Sequence, residues 1–485
     1  MSKIYLFVFI LLFAWIVPAT PNTPAVEVRA VWLTTNYGLD WPHNRNSVSA
    51  QKKELIDILD NLKKHNFNTI LFQVRGRGEV LYKSNIEPMS SLIVSDRQGN
   101  PLFDPLEFIV DEAHKRGLSC HAWVVTYPLG GDMHVKGLGT RSVTKKNPTI
   151  VKKFKNEWFL DPGVPATDDY LLSIVKEIVE KYDVDGVHFD YIRYPDNRGL
   201  FPDNDTYKKY GKGKDKSEWR RDNITRFVNK VYDLVKEQKP WVQVSSSPLG
   251  RYRALGNNGH GWTAFETVYQ DAGKWMKMGK HDALYPMMYY KEHLFYPFVD
   301  DWMLNSNDRI LVPGLAPYQM VELGWSQKDI LNQIDYTRNK EVQGQSYFRA
   351  ENVLSNTKGI LDSLNVYYKK PAKLPAMKWL NDKAPSEPSD LRAEISDLNI
   401  FQLSWLKPDN SDRVTYNVYR SDSSNFCTND GDLLLATGLR DTIFEYIPEE
   451  REKAYYYYVT TSDSYNNESV ICFPAFFFHS DDIIK

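Results

Sequence analysis

Residues 183–195 read DVDGVHFDYIRYP, a run that begins like a buried strand and ends in charge and aromatic hydroxyls. Strand alternation puts Gly186, His188, Asp190 and Ile192 on one face and Val187, Phe189 and Tyr191 on the other. The Val/Phe face suits a helical layer, so the Gly/His/Asp face points inward, with Asp190 at the strand end. Arg193 follows at a spacing that lets it hold a carboxylate charged. Other apolar runs end in the same chemistry. QVRGRGEVLY brings Gln73, Arg75, Arg77, Glu79 and Tyr82, and LSCHAWVV brings His121 and Trp123. ALYPMMYY brings Tyr289, the first run leads to Asn36, Asp40 and Trp41, and Asp271 follows the fifth. Carboxylates, guanidinium groups, a histidine and flat rings together suit a polyol ligand. His121 equally suits a hydrogen-bonded core position, and Arg75 and Arg77 could be ion-pair partners within the fold. No phosphate loop, dinucleotide fingerprint or nucleophile elbow is present, and no Cys/His cluster has zinc spacing, so neither metal nor cofactor is expected.

The elements that must position these residues form a rhythm. Eight β-rich runs (28–35, 69–74, 118–125, 185–192, 242–248, 283–290, 310–317 and 344–350) alternate with segments of helical period. In 168–182, for example, Leu171, Ile174, Val175, Ile178 and Val179 make the stripe of a helix packed on a sheet. Eight strand–helix alternations predict an α/β fold, a (β/α)8 TIM-like barrel, over 26–370. Active sites of such barrels collect at the C-terminal strand ends. The Pro- and Lys-rich stretch 371–384 reads as a linker. After it, 385–480 alternates in short runs separated by Asp, Asn and Ser, the pattern of a small all-β sandwich.

A chain of 485 residues accommodates both units. A formal net charge of −2 argues against a nucleic-acid surface. One lysine, an apolar run from Ile4 to Val17 and then small residues and prolines predict a signal peptide over 1–20, and hence an exported protein with no integral membrane domain after cleavage. Only Cys120, Cys427 and Cys472 occur; Cys120 falls in an apolar strand, and spacing does not decide whether the other two pair.

Six segments carry a family resemblance: EVRAVWLTT with DWP (27–42), NTILFQVRGRGEVLYKSNIEP (68–88), FDPLEFIVDEAHKRGLSCHAW (103–123), YDVDGVHFDYIRYP (182–195), VYQDAGKWMKMGKHDALYPMMYY (268–290) and VPGLAPY (312–318). The chain resembles the glycosyl-hydrolase-like 10 family of bacterial envelope proteins. That resemblance implies a TIM-like barrel and hydrolysis of glycosidic bonds in a polysaccharide or oligosaccharide, some members acting on peptidoglycan strands stripped of peptide. Departures occur where many members follow HAW with Asn-Pro-Tyr-Arg; here the run is HAWVVTYPL. The fourth run is also similar to the DGxDxDxE strand of family 18 chitinases, with Ile192 where their catalytic Glu stands. Glycoside hydrolysis uses one protonated and one ionised carboxyl. Asp190 is expected to be the ionised partner, nucleophile or base, with Arg75 or Arg193 holding it charged. Glu79 leads for the acid because it matches an acidic position of the family, followed by Asp271, Glu292 and Glu351. Arg75, His121, Trp123, His188, Tyr191, Arg193, Tyr289 and Trp41 are the expected substrate contacts. The other readings are a non-catalytic glycan-binding barrel and, more weakly, a deacetylase or esterase. Residues 385–480 resemble a fibronectin type III domain through Trp405, YNVYRS and the Tyr-rich late strand. Trp405 and Tyr455 to Tyr458 would then be core residues, with the sandwich available for envelope contact.

Overall fold

The computed structural model describes residues 23–96, 100–195, 199–256, 261–396, 400–409, 413–447 and 453–479. The expected signal segment, 1–20, lies outside the described residues. All eight anticipated runs are strands: β1 Val28–Leu33, β2 Thr69–Gly76, β3 Ser119–Val125, β4 Gly186–Asp190, β5 Gln243–Ser246, β6 Ala283–Leu284, β7 Ile310–Leu311 continuing into Gly314–Leu315, and β8 Gly344–Tyr347. They pair in parallel in chain order, and β8 returns to β1. The two halves of β7 close the barrel. Val312 and Gly314 donate to Leu284 and Pro286 on one side, while Ser346 and Phe348 donate to Pro313 and Leu315 on the other. A helix follows each strand: Val48–Lys64, Pro105–Lys115, Pro165–Lys181, Lys216–Gln238, Ala272–Lys277, Tyr296–Asn305, Gln327–Asn339 and Ile360–Tyr367.

Local chemistry accounts for these boundaries. Ser47 accepts from Ala50 N, and Asp104 from Leu106 N and Glu107 N ahead of Pro105, so orphan N–H groups of the first turns are satisfied. Ser326 and Asp329 form a reciprocal capping box. Val187 and Phe189 join the cluster between strands and helices. Val28, Ala30, Trp32, Leu71, Trp123 and Tyr285 fill the barrel's interior. At Gly186 a Cβ would meet the His121 ring at 2.5 Å, so glycine there is what admits an imidazole into the barrel.

The C-terminal all-β region has two antiparallel sheets. One holds β9 Ser389–Ile395, β10 Phe401–Leu406 and β13 Ile443–Tyr446; the other holds β11 Val414–Ser421, β12 Leu434–Leu439, β14 Lys453–Asp463 and β15 Ala475–His479. Trp405, Tyr416, Tyr455 and Tyr457 lie in its core. The three cysteines are free thiols, Cys427 exposed and the other two buried.

The stretch 371–384 does more than join the two units. Lys373 N donates to Ala25 O, Met377 is buried in the barrel's inner cluster, and Trp379 Nε1 donates to Asp282 at 3.0 Å. Lys373 also pairs with Glu468, and Arg413 and Arg440 with Asp183. The all-β region thus packs across the floor of the barrel, where Gly117 and Gly438 touch backbone to backbone. A cavity of about 670 Å³ lies at this junction.

Candidate functional site

The chain turns sharply at the end of β4. Tyr191 has φ 50, an uncommon conformation for a non-glycine residue, and this folds its N–H back onto Asp190 Oδ1 at 2.6 Å. The strand end is pinned from β3, because Thr126 donates both its N–H and its hydroxyl to Asp190 O. Ile192 and Tyr194 are buried behind the turn, while Tyr191 is exposed, with the Arg193 guanidinium 4.5 Å from its ring centre. Charge and hydroxyls end this strand because the chain alternates between core and mouth there.

Asp190 is buried. Burial raises its carboxyl above the ordinary aspartate range, against the pull of Arg193, the Tyr191 N–H, Ser247 and Trp123. Trp123 Nε1, Ser247 Oγ and Arg193 Nη1 are buried and make no hydrogen bond of ordinary geometry among the described residues. Three donors therefore stand around one carboxyl, with no other acceptor competing for these atoms. Two of them, the indole and the guanidinium, can only donate, which is the environment of a carboxylate and not of a carboxylic acid. Tyr289 lies close enough for Asp190 and Arg193 to perturb its hydroxyl, and its ring packs with Tyr318 at 5.8 Å and Phe348 at 5.7 Å.

Beneath Asp190, His188 is a barrel-interior group. Trp32 Nε1 donates to His188 Nε2 at 3.2 Å, so its proton sits on Nδ1, which donates to Ser245 Oγ at 3.0 Å. Burial drives its pKa far below the usual imidazole value, and it stays neutral. His121 lies at the opposite, floor end, bonded to Ser119 and lowered by burial to about 4.

Several anticipated contacts have other work. Arg75 is fully buried and forms a two-pronged pair with Glu87 at 2.7 and 2.6 Å, and it also donates to Val125 O and Thr126 O. Its charge belongs to Glu87, which also accepts from Tyr170, so Arg75 positions β3 and leaves Asp190 to Arg193. Trp41 is buried among the helices against Phe72 and donates to Gln51 O, away from the mouth. Asp271 precedes a short helix and accepts from the Tyr252 hydroxyl at 2.7 Å. Glu351 is half-exposed and paired with Arg349. Glu292 stands in the loop after β6.

Glu79 sits on a hairpin that folds back on the end of β2, opposite Gly76. Burial raises its carboxyl, opposed by His134, whose Nε2 is 3.7 Å away. The cavity it lines, about 680 Å³, includes Tyr37, Arg77 and His134. The groups acting most strongly on Glu79 and on Asp190 do not overlap. Glu157, on the antiparallel insertion that follows β3, is a further acid whose charge acts on the Tyr191 hydroxyl. Reading strand ends alone passed over Glu157, and Ser247, Tyr318 and Phe348 with it. Ser247 was legible, one residue beyond β5.

Comparison with known proteins decides the family. The profile of the glycosyl hydrolase-like 10 family matches residues 27–300, more than half of the chain. The chain belongs to the glycosyl hydrolase-like 10 family. Glycosyl hydrolase YngK of Bacillus subtilis is 30% identical over 423 residues, 82% of this chain and 83% of that protein. Glycosyl hydrolase DigH of Escherichia coli K12 is 35% identical over 297 residues, 56% of this chain and 68% of that protein. The PgaB (BpsB) glycoside hydrolase domain from Bordetella bronchiseptica superposes with a TM-score of 0.51 at 14% identity, over 70% of this chain and 99% of that domain, a likeness of fold alone. The glycosyl hydrolase-like 10 match contains Asp190, Glu79, Trp123, Ser247 and Tyr289. It stops before β7 and β8, which supply Tyr318 and Phe348. Among the described residues, no three His, Cys, Asp or Glu side chains converge as a metal-binding group, and no helix is long and apolar enough to cross a membrane.

Proposed function

We propose that the barrel mouth hydrolyses glycosidic bonds of an extracellular or envelope glycan, with Asp190 as the ionised catalytic carboxylate. Family membership makes the protein a glycoside hydrolase; the role of Asp190 rests on one observation. Its carboxyl is buried at the end of β4 and faced by the Arg193 guanidinium, the Tyr191 N–H, the Ser247 hydroxyl and the Trp123 indole. Donors favour the charged form, while burial raises its basicity, the combination a nucleophile or base needs. A sugar entering the mouth would offer hydroxyls to Ser247 and Arg193 and a ring face to Tyr289.

For the proton donor we propose Glu79, because burial raises its carboxyl in the direction a general acid requires. Glu157 is the alternative, from its effect on Tyr191. Glu79→Gln should lose most activity on natural glycosides and much less on aryl glycosides, whose leaving groups need no proton. If Glu157→Gln behaves that way instead, the roles are reassigned. Export follows from the apolar N-terminal run, and peptide-free peptidoglycan strands are the first substrate to test. The experiment is release of reducing ends from a glycan panel by wild-type and Asp190→Asn protein. Binding without release would favour the glycan-binding reading and overturn this one.

A further inference from the structure

Two exposed aromatic rings follow strands on opposite sides of the barrel. Tyr37 follows β1 and Trp262 follows β5, and they are 65% and 51% exposed. In a closed eight-stranded barrel whose strands neighbour in chain order, β1 and β5 are four strands apart and so face each other across the axis. Eight tilted strands at the usual spacing give a diameter of about 15 Å, and loops beyond the strand ends stand farther out. Asp190, on β4, points into the space between.

Both loops are held by the fold. Gln73 Oε1 accepts the N–H groups of Thr35 and Asn36 at 3.0 and 2.8 Å, which fixes the loop carrying Tyr37. The Tyr37 ring lies against the Arg77 guanidinium at 3.6 Å, leaving the other face to solvent. Trp262 is followed at once by Ala264 N donating to Arg251 O and Phe265 N to Tyr252 O, and Arg251 is itself seated over the Tyr290 ring at 4.1 Å. Leu39, Leu200 and Leu323, also exposed, lie on loops after β1, β4 and β7, and exposed Met133 and Val321 lie on short helices after β3 and β7. Rings and apolar side chains left in water at the rim, without an enclosing wall, suit a ligand that continues past the mouth on both sides.

We propose that the mouth takes a glycan chain lengthwise, from Tyr37 across Asp190 to Trp262, and that the chain is cut internally. The inference deepens the glycosidase reading and rests on it for the cut, while the seating of the chain can be tested separately. The probes are chito-oligosaccharides of two to eight rings and peptide-free peptidoglycan strands. Product lengths are followed by mass spectrometry, and binding by affinity electrophoresis of full-length Asp190→Asn protein. Wild-type protein should release fragments of several lengths from the outset and favour chains long enough to span both rings. In Tyr37→Ala and Trp262→Ala that preference should shrink by about tenfold, since each removes one stacking contact. Products that are only monosaccharide or disaccharide from the first time point, or a length preference unchanged in both variants, would overturn the proposal. Chains bound through Tyr37 and Trp262 but never cleaved by wild type would support the seating and overturn the glycosidase reading alone. If every probe is neither bound nor cleaved, both fall.

Discussion

Asp190→Asn removes one charge and almost no volume. The replacement amide keeps an oxygen for the Tyr191 N–H, now 2.6 Å from Oδ1, and turns an NH2 group toward Arg193, Trp123 and Ser247. Two opposing effects on stability follow. A charge-assisted hydrogen bond is weakened, a loss of about 1.5–3 kcal/mol. Against it, burial is the largest influence on this carboxyl and disfavours its charge, a cost the amide does not carry. The melting temperature should therefore move by no more than a few degrees. Turnover should fall at least a thousandfold, which corresponds to about 4 kcal/mol of barrel-mouth chemistry. The pH dependence has a defined sign. A raised folded-state pKa means the folded protein binds more protons than the unfolded chain between the two pKa values, so this group's stability contribution declines as pH rises through that window. The variant lacks the decline, so its melting temperature relative to wild type should improve from acidic toward neutral pH. The assay is reducing-end release beside thermal melts at several pH values. Activity above a tenth of wild type in the folded variant would refute the catalytic assignment. A melt that collapses by tens of degrees would mean the carboxylate is structural.

Arg193→Met takes away the cation that opposes burial at Asp190, so the acid limb of kcat/KM should move to higher pH; an unmoved limb would detach Arg193 from this carboxyl. Arg75→Met leaves Glu87 buried without its guanidinium and should cost about 3–5 kcal/mol by denaturant melts, and a neutral result would contradict the positioning role given to Arg75. Truncation separates the linker from the sandwich. A chain ending at 384 keeps Met377 and Trp379 and should yield a folded barrel, whereas one ending at 370 loses both and should be far less stable in melts. Equal stability of the two would show that 371–384 adds nothing to the barrel.

The sequence alone shows whatever repeats locally. Val187 and Phe189 against His188 and Asp190 is a period-two pattern, and the stripe from Leu171 to Val179 is a helical one. Asp104 before Pro105 marks a helix start by chemistry confined to a few residues. Eight such alternations left a closed barrel as the economical arrangement, and the strand-end rule then carried the reading to Asp190. Beyond the strand ends the periodicity stops, and with it the ability to tell where a side chain points. Arg75 looked like a mouth residue because it ends β2, yet its partner Glu87 lies on a loop and is held by Tyr170 from the helix after β3. Trp41 looked like a substrate contact because it follows a strand, yet it folds under the first helix to Gln51.

Composition was silent in one place for a related reason. Proline and lysine in 371–384 predict a linker and say nothing of its surroundings, because local rules count the backbone's preferences and not what the chain lies against. In the folded protein Met377 and Trp379 of that stretch are taken up by the floor of the barrel. By itself, then, the sequence determined the class of each element, the barrel and the one carboxyl its fourth strand must deliver to the mouth, since these depend on neighbours two to four residues away. Only the tertiary structure decided which charges face that carboxyl, that Glu79 stands on its own hairpin, that Glu157 acts on the Tyr191 hydroxyl and that Tyr37 lies against Arg77. Those are contacts between loops far apart in the chain, and what selects them is burial and pairing after the barrel closes, which no local pattern encodes.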